Sequence, residues 1–204
     1  MNQGGLPVLL TDALSGDGVP ATLVTQIGEQ QISDWHDYWR PALEETLARL
    51  RVIGVPRARW PQTAHWNWES KTKQVVGLLA FRCFAITSQG VTQGLMRVDL
   101  NHSARQATQI GKPLVYVEYL EVAPWNRAEF AKPRYRGVGT ALLTAAVDLS
   151  LEEGFHGRIG LHSLTQAESF YRDVCGMSDL GIDENYENLR YFEMTSEQAA
   201  AFLG

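Results

Sequence analysis

The longest nearly continuous run of apolar residues and strand formers is Leu114–Val122, which stops before Pro124. A run rich in Val, Leu and Tyr with few polar interruptions predicts a central strand that is buried on both faces. Two upstream segments, Gln74–Ala85 and Gly94–Asn101, are also rich in strand formers. We expect them to form neighbouring antiparallel strands that join the same sheet.

The second half of the chain alternates helical and strand patterns. Apolar residues on a broad face predict a helix over Thr140–Glu153, which Gly154 ends. Gly157–Leu164 predicts another strand, Gln166–Val174 a short helix, and Leu189–Met194 a further strand. This order of elements predicts an α+β or α/β domain around one central sheet.

The N-terminal third has weaker patterns. Residues 1–20 contain glycine and proline without periodicity, which predicts an irregular lead-in, and residues 21–32 could hold a first strand. Ser33 can cap a helix over Asp34–Leu50, in which Pro41 predicts a break or kink.

Composition narrows the class of protein without identifying it. The 204 residues are 45% hydrophobic and 20% charged, which is ordinary for a soluble globular protein. The formal net charge of −5 argues against a general nucleic-acid binder, which would carry a basic excess. Cys83 and Cys175 show no metal-type spacing, and we see neither a signal peptide nor a membrane span. We therefore expect a cytoplasmic protein with no metal, no nucleic-acid partner and no membrane partner.

The segment Arg134–Thr140 lies between the strongest strand and the strongest helix, and it contains Gly137 and Gly139. Glycine lets a ligand approach the main chain closely, and the first amides of a helix have no partners within the helix. Such a turn suits a pyrophosphate. Neither a Walker loop nor a dinucleotide fingerprint fits, because the required Gly-Lys-Ser/Thr and the third glycine are missing. Taken alone, the two glycines could equally shape a tight strand-to-helix turn.

The surrounding motifs resemble those of the GNAT superfamily of acyl-CoA N-acyltransferases. The pyrophosphate loop of that family corresponds to Arg134-Tyr135-Arg136-Gly137-Val138-Gly139, and Leu120–Pro124 is similar to the end of its fourth strand. Downstream, Ala167–Tyr171 and Gly176-Met177 resemble its next helix and the glycine that follows. Leu164 stands where the family often has Asn. The resemblance covers about residues 74–194, and residues 1–70 match no part of it.

The resemblance implies an α+β fold with a central mixed, mostly antiparallel, twisted sheet flanked by helices. Its fourth and fifth strands splay apart to hold the pantetheine arm of acetyl-CoA. The whole chain, residues 1–204, would then be a single domain with an acyl-CoA-binding core at 74–194 and an atypical region at 1–70. The cofactor-binding residues that the resemblance implies are Leu120, Glu121, Val122, Arg134, Arg136, Gly137, Val138, Gly139 and Thr140.

Acetyl transfer needs one group that takes a proton from the amine and one that protonates the CoA thiolate. Tyr171 matches the position of the acid in the family, and a core aromatic is its structural alternative. Glu118 is the candidate base, because it shares a strand face with Leu120 and Val122; a salt-bridge partner is its alternative. Glu121 points the other way, and His162 or a water chain could serve instead.

The acceptor is less well defined. Trp60, Trp66 and Trp68 crowd into residues 54–70, and His65–Glu69 could line an acceptor pocket, since aromatic faces attract ammonium groups. A hydrophobic plug is the alternative that we favour. Trp125 and Phe130 could cover part of a substrate entrance.

Three hypotheses follow, and the first is favoured. It is an N-acetyltransferase that transfers the acetyl group of acetyl-CoA by direct attack of a primary amine, on a small molecule or a protein, without an acyl-enzyme. The second is a non-catalytic acyl-CoA-binding or sensing module, and the third is a purely structural domain. A homodimer is plausible by analogy with the family.

Overall fold

The computed structural model describes residues 5–127 and 132–204. The chain forms two compact units. The first unit holds the described residues of Met1–Leu78, Cys83–Met96 and Leu120–Leu142. The second unit holds Leu79–Arg82, Arg97–Tyr119 and Leu143–Gly204. The single domain expected over residues 1–204 stays a prediction.

The described residues contain nine strands in one mixed sheet of order β6-β1-β2-β3-β4-β5-β7-β9-β8. Pairing is mostly antiparallel, with β5 and β7 parallel, so the predicted fold class is confirmed. The strands are β1 Leu6–Asp12, β2 Gly18–Val24, β3 Phe81–Ser88, β4 Val91–Ser103, β5 Pro113–Val122, β6 Tyr135–Arg136, β7 Ile159–Ser163, β8 Ser178–Asp183 and β9 Leu189–Met194. The α-helices are α1 Glu29–Asp34, α2 Arg40–Val52, α3 Trp68–Lys73, α4 Val138–Glu152 and α5 Ser196–Leu203.

Residues 5–20, the described part of the expected irregular lead-in, belong mostly to two strands, so that prediction was wrong for them. β1 and β2 form an antiparallel hairpin in which Leu6 pairs with Leu23 and Thr11 with Gly18. The turn is closed by Asp12, whose carboxylate accepts hydrogen bonds from the amides of Leu14 and Ser15. Local side-chain hydrogen bonds of this kind form turns that apolar periodicity does not reveal.

The helix predicted over Asp34–Leu50 begins earlier, at Glu29, so Ser33 lies inside it and is not its cap, and it runs in three pieces. α1 is followed by a π-helical turn, Trp35–Trp39, and then by α2, which has Pro41 in its first turn. Proline is tolerated there because the first amides of a helix have no acceptor within the helix. The expected interruption is therefore present as a wide turn that precedes the proline.

Several other boundaries differ from the sequence-based expectations. Residues 74–80 form turns, so β3 begins at Phe81 and not at Gln74, whereas β4 extends to Ser103. The predicted helix over Gln166–Val174 consists of a short 3₁₀ turn, Thr165–Ala167, and a π-helical turn, Phe170–Val174. β5 and α4 lie where the sequence predicts them. No helix in the described part of the chain is long and apolar enough to cross a membrane.

Candidate active site

The glycine segment lies in the first unit, between a short strand and the start of α4. Arg136 of β6 pairs with Thr11 of β1, and Gly137 then adopts a φ of +88° with open space where a Cβ would stand. The first hydrogen bond of α4 runs from the amide of Ala141 to the carbonyl of Gly137 at 2.9 Å. The amides of residues 138–140 therefore have no acceptor within the helix, and this geometry can bind an anion.

The arginines that flank this turn differ in their surroundings. Arg134 is exposed, and its guanidinium lies 5.7 Å from the centre of the Trp125 ring. Arg136 is also exposed. Both can supply bidentate donors to a phosphate at the start of α4. Phe130, which was expected to share a covering role with Trp125, lies outside the described residues.

Close approach of β4 fixes where α4 begins. A Cβ on Gly94 would lie 2.6 Å from Cγ1 of Val138 and 2.9 Å from Cδ1 of Leu142. Both partner side chains are buried, so neither can move without disturbing the helix start. The absence of a side chain at position 94 therefore sets the position of the turn at Gly137.

The end of β5, Leu120–Val122, also belongs to the first unit. Ala123, just beyond it, donates its amide to the carbonyl of Gln93 at 2.9 Å. The Glu121 carboxylate accepts a 2.6 Å hydrogen bond from Nε1 of Trp68. Burial raises the pKa of Glu121, although hydrogen bonds from Thr63 and Trp68 oppose the shift.

Glu118 lies in the second unit and forms an ion pair. Nε and Nη2 of Arg97 donate to its two carboxylate oxygens at 2.7 and 2.6 Å. The Arg97 side chain is only 5% exposed and lies over the rings of Phe81 and Tyr119. This bidentate pair is the alternative that the sequence left open for Glu118, and the role of Glu118 as a base stays a prediction.

Tyr171 is buried in the second unit, on the π-helical turn Phe170–Val174. Its ring lies 5.2 Å from that of Phe170 and 6.0 Å from that of Phe192. Burial raises the pKa of the Tyr171 phenol, so the group carries its proton at neutral pH, as an acid must. The thiol of Cys175 is also buried, and burial raises its pKa to about 12, which disfavours a thiolate nucleophile.

His162 of β7 lies in an aromatic cluster of the second unit. Its Nδ1 is 2.7 Å from the Tyr116 hydroxyl, and its Nε2 is 3.0 Å from Oδ2 of Asp183. The Tyr186 ring is stacked on the imidazole, with centroids 3.9 Å apart. Arg105 is also bonded to Asp183 Oδ2. The sequence pointed to His162 but missed its partners, since no local spacing links residues from four separate segments.

The tryptophans of the tryptophan-rich stretch are buried to different extents. Trp68 is fully buried and is bonded to Glu121, as a plug would be. The Glu69 carboxylate is engaged by Lys73 at 2.6 Å and by His36 at 3.2 Å. Trp66 is half-buried, with the Lys71 ammonium 4.9 Å from its ring centre. The described residues contain no group of three or more His, Cys, Asp or Glu side chains that could hold a metal ion.

The predicted site residues are thus divided between the units. The cofactor set, Leu120–Val122 and Arg134–Thr140, belongs to the first unit, whereas Glu118 and Tyr171 belong to the second. The parallel pairing of β5 with β7 joins Val115 to Ile159 and Tyr116 to Gly160, at the start of both strands. β5 and β7 are thus paired where each strand begins, which is compatible with two strands that separate towards their C-terminal ends.

The chain is similar to known proteins in its fold, at low sequence identity. No protein-family model and no curated protein matches the sequence. Among solved structures, the GNAT domain of S. lividans PAT is 14% identical and covers 93% of this chain and 96% of its own, with a TM-score of 0.56.

Two further solved structures have a similar fold. PaiA N-acetyltransferase from Thermoplasma acidophilum, in complex with coenzyme A, is 12% identical, with a TM-score of 0.51 and coverage of 85% of this chain and 97% of its own. FeeM, an N-acyl amino acid synthase from uncultured soil microbes, is also 12% identical, with a TM-score of 0.51 and coverage of 89% and 93%. The strand order, the glycine turn before α4 and these likenesses together show that the chain has the fold of the GNAT superfamily.

Proposed function

We propose that the protein is an N-acetyltransferase that moves the acetyl group of acetyl-CoA to a primary amine by direct attack in a ternary complex. The observation that carries the proposal is the turn at Gly137, which leaves the amides of residues 138–140 at the start of α4 without helical partners. These amides, with Arg134 and Arg136, would hold the CoA pyrophosphate.

The remaining roles follow from chemistry. The backbone of Leu120–Val122 would bind the pantetheine arm and polarise the thioester carbonyl. The amine nitrogen forms a bond to the carbonyl carbon, and the carbon–sulfur bond breaks. Tyr171 would protonate the departing thiolate, and Glu118 is the predicted acceptor of the amine proton. The raised pKa of the buried Cys175 thiol supports direct attack, because it disfavours an acyl-enzyme at that residue.

Acetyl-CoA binding is tested first by Gly139→Glu, with Gly139→Gln as the matched control. Gly139 lies in the first turn of α4, where both side chains should raise helix propensity by about 0.5–1 kcal/mol. A carboxylate there competes with the pyrophosphate, so acetyl-CoA should raise the Tm of wild type and the Gln variant far more than that of the Glu variant. Equal Tm shifts in all three proteins would refute the loop assignment.

Catalysis is tested by free thiol released from acetyl-CoA over a panel of amines and peptides. Tyr171→Phe should lower kcat about 100-fold while acetyl-CoA affinity is retained. Unchanged kcat would remove Tyr171 as the acid. Acetyl-CoA binding without thiol release for any acceptor would favour the non-catalytic sensing module instead.

The role of Glu118 needs two variants, because its carboxylate also holds Arg97. Glu118→Gln removes both the negative charge and the ion pair, whereas Arg97→Met breaks the pair and keeps the carboxylate. If Glu118 is the base, Glu118→Gln should lower kcat far more than Arg97→Met does. Equal losses would show that Glu118 acts only through its pairing.

A further inference from the structure

The aromatic cluster around His162 contains an ordered chain of polar groups that the proposed reaction has not used. Its order is carboxylate, imidazole and phenol: Asp183, His162 and Tyr116, joined at 3.0 and 2.7 Å. The imidazole side chain is 2% exposed, and the Asp183 side chain is 12% exposed. A carboxylate–imidazole–hydroxyl chain is the arrangement with which proteins move a proton away from a hydroxyl group.

The direction of the chain follows from the charge on Asp183. Hydrogen bonds from Arg105 and His162 hold the pKa of Asp183 at about 2, so the carboxylate only accepts hydrogen bonds at neutral pH. The Nε2 of His162 must then carry the hydrogen that points at Asp183. A neutral imidazole with a proton on Nε2 has a lone pair on Nδ1, and this lone pair accepts the Tyr116 hydroxyl. The Tyr116 hydroxyl also has a hydrogen bond with Tyr186, and burial raises the pKa of the Tyr116 phenol, so the phenol keeps its proton at neutral pH.

The protonation state of His162 agrees with this direction. Burial lowers the pKa of His162, and the positive charge of Arg105 lowers it further, whereas the hydrogen bond to Asp183 raises it. His162 is therefore neutral at neutral pH and can accept a proton. The titratable and charged groups around it are Tyr116 of β5, Asp183 of β8, Tyr191 of β9, His102 of β4, Arg105 and Tyr186.

Tyr116 also has the right place along the chain. It belongs to β5, the strand that ends in the proposed thioester segment, and strand alternation puts it on the same face as Glu118. Both oxygens of Glu118 already accept hydrogen bonds from Arg97, whereas His162 has an acceptor atom directed at Tyr116. The Asp183 end lines a cavity of about 570 Å³, together with Arg105, Gln106 and Tyr191.

We propose that Tyr116, His162 and Asp183 form a proton relay that removes the proton of the acceptor amine during acetyl transfer, in place of Glu118, whose two oxygens are taken by Arg97. The inference rests on the proposed N-acetyltransferase function. As the carbon–nitrogen bond forms, the amine proton passes to the Tyr116 oxygen and the Tyr116 proton passes to Nδ1 of His162. The resulting imidazolium is stabilised by the Asp183 carboxylate. Tyr171 gives its proton to the CoA sulfur, and exchange with water restores both groups.

The test combines kinetics with proton position. Tyr116→Phe should lower kcat about 100-fold with little change in KM for acetyl-CoA, whereas Tyr191→Phe, which removes a phenol that packs on the same imidazole, should not. The relay works only when His162 is neutral, so kcat/KM should rise with pH through the His162 pKa.

The rise in kcat/KM with pH is the acid limb of the pH profile. Two charge variants should move this limb in opposite directions along the pH axis. Asp183→Asn removes a negative charge and should shift the limb to lower pH, with a reduced plateau. Arg105→Gln removes a positive charge and should shift it to higher pH. Asp148→Asn, the same charge change on an exposed residue of α4, should leave it in place. A limb that neither variant moves, or wild-type kcat in Tyr116→Phe, would overturn the relay.

A readout without turnover separates failure of the relay from failure of the proposed function. Nitrogen-15 NMR of the ¹⁵N-histidine-labelled protein, with His162 assigned through His162→Gln, should find the proton on Nε2 at neutral pH. A proton on Nδ1 would contradict the relay even in an active enzyme. Failure of wild type to acetylate any amine would instead overturn the proposed function, and with it the catalytic role of the relay.

Discussion

Each unit of the molecule contains a carboxylate held by hydrogen bonds from a different kind of donor. In the first unit, three indole N–H groups donate to polar acceptors: Trp39 bonds the carbonyl of Thr92, Trp125 bonds Gln93, and Trp68 bonds Glu121. In the second unit, guanidinium groups pair with carboxylates, as Arg97 does with Glu118 and Arg105 does with Asp183. Neutral donors leave a buried carboxylate with a raised pKa, whereas cations hold it ionised. Glu121 and Asp183 should therefore contribute to stability with opposite dependence on pH.

The largest expected effect is the loss of Arg97. Arg97→Met should lower the free energy of unfolding by about 3 kcal/mol, because it leaves the charge of Glu118 partly buried without its partner. Urea unfolding at neutral pH measures the loss. Adding Glu118→Gln should recover much of it, since no unpaired charge then remains. A double variant as unstable as the single one would show that Arg97 stabilises the unit mainly by packing on Phe81 and Tyr119.

Loss of the neutral donor to Glu121 should cost somewhat less. Trp68→Phe keeps a buried ring but removes the 2.6 Å hydrogen bond, and it should lower the free energy of unfolding by about 2 kcal/mol. The same change at the half-buried Trp66 should cost under about 0.5 kcal/mol. Equal effects at the two positions in urea unfolding would mean that the bond to Glu121 contributes little.

Acid should destabilise the second unit. Hydrogen bonds from Arg172 and Arg190 hold the pKa of Asp179 at about 2, and Arg105 and His162 do the same for Asp183. Because the unfolded value is about 3.9, their stabilising contribution is complete above about pH 4 and disappears as pH falls through 2. Urea midpoints between pH 5 and 2 should fall steeply for wild type and less steeply for Asp179→Asn. Parallel curves would exclude the pairs of Asp179 with Arg172 and Arg190 as a cause of the acid sensitivity.

Glu121 should give the smallest pH effect, with the opposite sign. Its pKa is raised in the folded protein, so its stabilising contribution is complete below the unfolded pKa of about 4.3 and disappears as pH rises through the folded value. Glu121→Gln, which can still accept from Trp68, should remove this dependence above pH 4. A Gln variant whose urea midpoint still falls with pH as steeply as wild type would assign the effect to another group.

The parts of the fold that depend on local sequence patterns could be predicted. β5, α4 and the turn at Gly137 each carry their own signal in apolar periodicity or glycine placement. The β1–β2 hairpin was not predicted, because its turn depends on hydrogen bonds to the Asp12 carboxylate. Alternation along β5 could place Glu118 on a face, but it could not show that Arg97 faces it. Similarly, Asp183 lies 21 residues beyond His162, and only the path of the chain through β7 and β8 brings the two together.

Gly94 gives the fold a constraint that a saturation-mutagenesis library would expose. Most positions in a strand tolerate several side chains of similar size, but at position 94 even a methyl group would collide with Val138 and Leu142. Gly137 should reject substitution for another reason, since its φ of +88° is unfavourable to any side chain although the space beside it is open. The lack of a side chain at position 94 therefore fixes the distance between β4 and the start of α4.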